Sequence, residues 1–211
     1  MEILLTQKRY SQLLILPEMK AIIMIISFGI LTLSGCDIFS TRNAETPTQP
    51  RTNLPQAFER ETLIDNLIAS YSDKSIFDYL NCFSDSLFTG KGFTFIASSE
   101  AASQFPSLSQ GWNLNSEERY FKNITAASQN IPITLILSNS TFSQQGDSLI
   151  YTASYSLTIP FTDPGMTNNY RGDLIFYIIR DNTLIWKIYY WQDFKSGNFA
   201  SWSELKGKFS N

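Results

Sequence analysis

The chain has 211 residues, 43% hydrophobic, 14% aromatic and 17% charged, a composition that suits a globular domain with a sizeable core. Sixteen basic and nineteen acidic residues give a net charge of −3, and without a basic run this argues against a nucleic-acid partner. Histidine is absent, which removes the usual general base, the commonest metal ligand and every Ser-His-Asp or Cys-His arrangement. No metal, cofactor or catalytic residue is therefore assigned. There are two cysteines, Cys36 and Cys82. Cys82 sits among Tyr79, Leu80 and Phe83 and reads as a buried, inert thiol.

Residues 1–18 contain an apolar run at 13–16 cut short by Pro17-Glu18. A glutamate in an apolar leader is costly, so Met19 is the better start. From there Met19-Lys20 leads into an apolar stretch at 21–33 and then Ser34-Gly35-Cys36. A positive start, an apolar run shorter than the ~20 residues that span a bilayer, and small residues before a cleavage point are the parts of a signal peptide. Leu33-Ser34-Gly35-Cys36 resembles the lipobox of bacterial lipoproteins. That resemblance implies removal of residues 1–35 and lipid on Cys36. It also implies a place on the cell membrane or the outer membrane, facing the periplasm or the cell exterior. Two or more acyl chains anchor stably, at roughly 0.8 kcal/mol per buried CH₂. The remaining 176 residues hold thirteen basic and seventeen acidic groups, a balance of −4.

Residues 36–54 are polar and proline-bearing without apolar periodicity, and read as a tether. The domain is expected over 55–211. Leu63, Ile64, Leu67, Ile68 and Tyr71 recur at helical spacing. After a break at Ser72-Asp73-Lys74, a short helix carries Ile76, Phe77, Leu80 and Phe83. Gly90 and Gly92 flank a turn into a short strand at 93–96. A loop holding Pro106 and Gly111 follows. Asn115 with Glu118 three residues on has the capping-box pattern, and the helix behind it buries Tyr120, Phe121 and Ile124. Glu117, Glu118 and Arg119 read as its solvated first turn.

The period then changes. Residues 131–137 suit a short strand, and Pro132 argues for an edge or a strand start. Tyr151, Ala153, Tyr155, Leu157 and Ile159 alternate with polar residues, a period of two. Strands at 170–179 and 184–194 are separated by Arg180-Asp181-Asn182-Thr183, which is turn chemistry. Helices first and a meander after them predict an α+β fold, with N-terminal helices packed on a curved antiparallel sheet.

This order resembles the NTF2-like (SnoaL-like) cone fold over residues 55–211. The stretch from Phe77 to Phe88, the strand from Leu184 to Ile188, Trp191-Gln192-Asp193-Phe194 and the closing Trp202-Ser203-Glu204-Leu205-Lys206 carry the resemblance. It implies a cavity between the helices and the concave sheet face, used in that family for ligands, catalysis or partners. Catalytic members use a cavity Asp, often with His or Tyr, and this chain lacks His. Candidate pocket-lining residues are Trp112, Tyr120, Tyr177, Trp191 and Asp193. Asp173, Asp193, Tyr177 and Tyr189 could support Asp–Tyr chemistry, although both aspartates also read as solvated strand residues. Trp186 and Ile188 share parity with Leu184 and Tyr190, opposite Tyr189, Trp191 and Asp193, and Trp186 reads as core. The expectation is a non-catalytic domain, membrane-bound through Cys36, that binds a small apolar ligand or an envelope protein. The alternatives are a His-free enzyme, isomerase- or cyclase-like, and a homodimer pairing its sheets.

Overall fold

The computed structural model describes residues 53–210. The leader, Cys36 and most of the tether lie outside the described residues. Helix α1 (Arg60–Asp73) buries Leu63, Ile64, Leu67 and Tyr71 along one face and stops where Lys74 turns left-handed. Helix α2 (Ile76–Asn81) opens on the Ser75 hydroxyl, which accepts the Asp78 N–H, and buries Tyr79. The single turn α3 (Ser86–Thr89) is capped by the Asp85 carboxylate and ended by Gly90 at positive φ, a conformation that costs glycine little. Strand β1 (Thr94–Ile96) follows.

The stretch expected as loop is ordered. Helix α4 (Ser99–Gln104) starts at Ser98, whose hydroxyl accepts the Ala101 N–H, and Pro106 begins a 3₁₀ turn over Pro106–Ser109. Helix α5 (Leu114–Ala127) is capped by Asn113 rather than Asn115. The Asn113 side chain accepts the N–H groups of Asn115 and Ser116 at 3.0 and 3.2 Å. Glu117 lies three, four and seven residues before Tyr120, Phe121 and Ile124 and is buried on the same face, while Glu118 faces solvent and pairs with Lys122.

Strands β2 (Thr134–Gln145), β3 (Ser148–Thr158), β4 (Asn169–Arg180) and β5 (Trp186–Lys195) form the sheet with β1, in the order β1-β5-β4-β3-β2. All pairings are antiparallel except β1 with β5. As Pro132 suggests, β2 is an edge, but it continues well past 137 through a bulge at Asn139 and Ser140. In β3 the alternation holds, with Tyr151, Ala153, Tyr155 and Leu157 buried. A second bulge falls in β5. Tyr177 pairs with Tyr190 and Ile178 with Ile188, so Tyr189 is unmatched. One extra residue reverses side-chain parity, and Ile188, Trp191 and Asp193 are all buried on the helix-facing side. The simple alternation expected across β5 therefore breaks at Tyr189. Trp186 is half-buried beneath the Arg180 guanidinium, 4.7 Å from the ring centroid, rather than central to the core. A last helix, α6 (Trp202–Lys208), returns across β4 and β5.

Candidate functional site

The interior between helices and sheet is built on Asp193, Glu117 and Lys206. Helix α6 starts at Ser201, whose hydroxyl accepts the Glu204 N–H at 3.2 Å. Its first turn is gripped by the sheet. Asp193 accepts the Ser203 N–H and hydroxyl at 2.8 and 2.5 Å and the Tyr155 hydroxyl at 2.8 Å. The Tyr155 oxygen in turn accepts the Trp202 N–H at 2.7 Å. Gly172 lies beneath this contact, where a Cβ would overlap the Phe194 carbonyl and the Tyr155 hydroxyl.

One turn further along α6, Lys206 enters the interior. Its ammonium pairs with the Glu117 carboxylate, and both side chains have 0% exposure. The rings of Trp191, Phe95, Tyr120 and Trp112 surround the ammonium, with centroids at 3.9, 4.2, 4.9 and 5.4 Å, and cations are attracted to such faces. Glu117 also accepts the Tyr79 hydroxyl and the Trp112 indole N–H. The Tyr71 hydroxyl bonds Tyr79 at 3.2 Å and Tyr120 at 3.5 Å, and the Trp202 indole donates to Tyr120 at 2.9 Å. A buried charge is tolerable only when paired and hydrogen-bonded, and this network supplies both conditions.

Burial dominates the proton affinities. It lowers Lys206 to about 8, against the raising influence of Glu117. It raises Asp193, against the hydrogen bonds from Ser203 and Tyr155. Tyr79, Tyr120 and Tyr155 are pushed well above the usual phenol value. Cys82, buried, is pushed up to about 12.

Of the residues singled out from the sequence, Trp112, Tyr120 and Trp191 meet around Lys206, and Asp193 joins them through the first turn of α6. Tyr177 does not. It lies half-buried on the other sheet face, against Tyr189 and Tyr190. Asp193, at 1% exposure, is buried rather than solvated, whereas Asp173 is exposed and accepts from Ser154. Glu117 is likewise buried, contrary to its reading as part of a solvated helix start. Glu117, Tyr155, Ser203 and Lys206 were absent from the candidates. Among the described residues no cluster of three acidic, cysteine or histidine side chains is placed to hold a metal.

The concave space expected to be a cavity is thus occupied by the chain's own side chains. Open space lies outside it. A groove of about 340 Å³ at the end of the sheet where β4 turns into β5 is lined by Leu80, Phe83, Phe88, Leu114, Ile185 and Lys187, among others. Lys187 is tied there to the carbonyl and side-chain oxygens of Asn81 at 2.5 and 2.8 Å. Around the groove Leu87, Phe88 and Leu184 are 83%, 56% and 61% exposed.

No family model and no curated protein matches the chain. Solved structures do resemble it. A protein of Novosphingobium aromaticivorans, provisionally assigned as a scytalone dehydratase, has a TM-score of 0.50 at 7% identity, over 67% of this chain and 88% of its own. An NTF2-like superfamily protein of Salmonella enterica serovar Typhimurium has a TM-score of 0.48 at 13% identity, over 64% and 88%. An NTF2-like protein of Cytophaga hutchinsonii has a TM-score of 0.46 at 10% identity, over 65% and 98%. At such identities the likeness concerns fold alone, and the architecture is an α+β, NTF2-like cone of helices on a curved sheet.

Proposed function

We propose that the chain is a lipid-anchored lipoprotein of the bacterial cell envelope whose domain binds apolar partners at its outer surface and carries out no reaction in its interior. One observation carries the reading of the domain. Lys206, Glu117 and four aromatic rings fill the space where a ligand of an NTF2-like cone would lie. The anchor rests on the sequence from Met19 to Cys36.

The 2.8 Å contact of Tyr155 with Asp193 favours a second reading, an Asp–Tyr enzyme. Against it, both Asp193 oxygens already accept hydrogen bonds from Tyr155 and Ser203. A general base must reach a substrate proton, and this carboxylate is committed to holding α6.

The test of the domain is titration with 1-anilinonaphthalene-8-sulfonate, followed by amide chemical shifts. Perturbations are expected at Leu80, Phe88 and Ile185. Shifts centred on Tyr155, Asp193 and Lys206 would overturn the outer-surface reading. Intact mass of the mature protein tests the anchor, and a free Cys36 thiol would refute it.

A further inference from the structure

We infer that the groove end of the domain is a membrane-docking face, on which Leu87, Phe88 and Leu184 enter the lipid surface while the chain is tethered through Cys36. The inference rests on the proposed anchor and names the partner of the groove as the bilayer itself.

Three observations converge on this end. The first is clustering of exposed apolar side chains. Leu87 and Phe88 lie on α3 and Leu184 on the β4–β5 turn, and the Asn182 N–H donates to the Phe88 carbonyl at 3.2 Å, so the two tips form one surface. Phe58, half-exposed, follows Ala57, whose carbonyl accepts the Trp186 N–H at 2.8 Å at the same end. A contiguous exposed apolar patch marks a contact surface, and four of the nine large apolar side chains exposed among the described residues are gathered here.

The second is the hydrogen bonding that shapes the tips. The Asp85 carboxylate caps α3, accepting the Leu87 N–H at 2.9 Å. The Asp181 carboxylate accepts the N–H groups of Thr183 and Ile185 at 2.8 and 3.0 Å. Both acids are engaged by their own turns, and the exposed Lys91 and Arg180 lie over the rings of Tyr189 and Trp186.

The third is where the described chain begins. Leu54 and Ala57 line a small cleft together with Asn81, Ile185 and Lys187, which also line the groove. Seventeen residue steps separate Cys36 from Asn53, a reach of at most about 60 Å. The tether joins the domain at this end, and once the lipid is in the bilayer each weak apolar insertion becomes an intramolecular event.

The test is hydrogen exchange of the full acylated chain on vesicles of phosphatidylethanolamine and phosphatidylglycerol, compared with the same chain kept in solution by a lipid-free amphipathic polymer. Peptides spanning 84–91 and 181–187 should exchange at least about threefold more slowly on vesicles, with 162–168 unchanged. A Leu87→Ser, Phe88→Ser, Leu184→Asn variant should lose that protection while keeping its fold, since all three side chains are exposed and asparagine tolerates the positive φ of residue 184. Equal exchange in both settings would overturn docking and leave the anchor intact. Protection that grows with protein density on the vesicle would replace the bilayer by a second copy, also overturning it. If intact mass shows no acyl chain, the anchor fails, and coupling Cys36 to a maleimide phospholipid supplies the same tether, so docking is read independently. Cys82, buried, does not compete for the maleimide.

Discussion

Replacing Lys206 with methionine keeps a long apolar stem among the rings and removes the charge paired with Glu117 in the interior. Glu117 would remain fully buried, with donors from Tyr79 and Trp112 but no countercharge. Removing one partner of a buried ion pair costs about 3–5 kcal/mol. The two surviving donors place the expected loss near the lower figure, about 3 kcal/mol. Adding Glu117→Gln removes the stranded charge; the amide oxygen keeps the Trp112 N–H, and the Tyr79 hydroxyl can turn to accept from the amide NH₂, so the double variant should recover about half of that loss or more. Urea unfolding at pH 7, followed by tryptophan fluorescence, reads both changes, because Trp112, Trp191 and Trp202 all lie in the core. An unchanged slope with denaturant would assign the difference to stability alone. A Lys206→Met protein within about 0.5 kcal/mol of its parent, or a double variant weaker than the single, would refute the view that this pair is a coupled, buried unit.

The pH dependence of stability follows from the same groups. Lys206 falls from 10.5 to about 8 on folding, so between those values the unfolded chain holds a proton the folded one lacks, and stability rises with pH. The buried tyrosines, raised from 10.0, act oppositely, and their contribution is lost as pH climbs past 10. The Cys82 thiol, raised from 9.0 to about 12, opposes this from pH 9, so unfolding titrations should show a rise from pH 8 to 9, little change to 10 and a fall beyond it, and Lys206→Met should abolish the rise. Asp193→Ala strands the Tyr155 hydroxyl and both Ser203 donors and should cost about 3 kcal/mol or more, with Asp193→Asn closer to 1–2; equal losses in denaturant unfolding would contradict the network. In a Cys36→Ala chain, Cys82 should stay silent to a thiol reagent at pH 8 and react fully once unfolded, because burial holds its thiol at about 12.

Periodic features were readable from the sequence. The apolar stripe of α1 and the alternation of β3 depend on neighbours close in the chain, and both are found in the structure. The centre of the site was not. Glu117 opens a helix rich in polar residues and looks solvated until Lys206, eighty-nine residues later, is set against it. Trp191 and Asp193 were singled out without a face, because the bulge at Tyr189 depends on how β5 registers with β4. Helix α6 is seven residues long, too short for a periodic signal to stand out. Asn113 and Asn115 offer similar capping chemistry, and only the bonds to Asn115 and Ser116 decide between them. The aromatic residues of 112, 120 and 191 invited a pocket, but nothing local to them says that a lysine fills it.

Helix α6 also bears on the order of assembly. Trp202, Ser203 and Lys206 come 85 or more residues after Glu117. A polypeptide emerging from the ribosome with its amino end first carries Glu117 for some time before its cation, Lys206, exists, and Asp193 before Ser203. Until then both carboxylates keep their water, and the halves of the cone have no reason to close over them. Tertiary closure thereby waits until α6 has been made, which leaves the earlier strands and helices threadable until then.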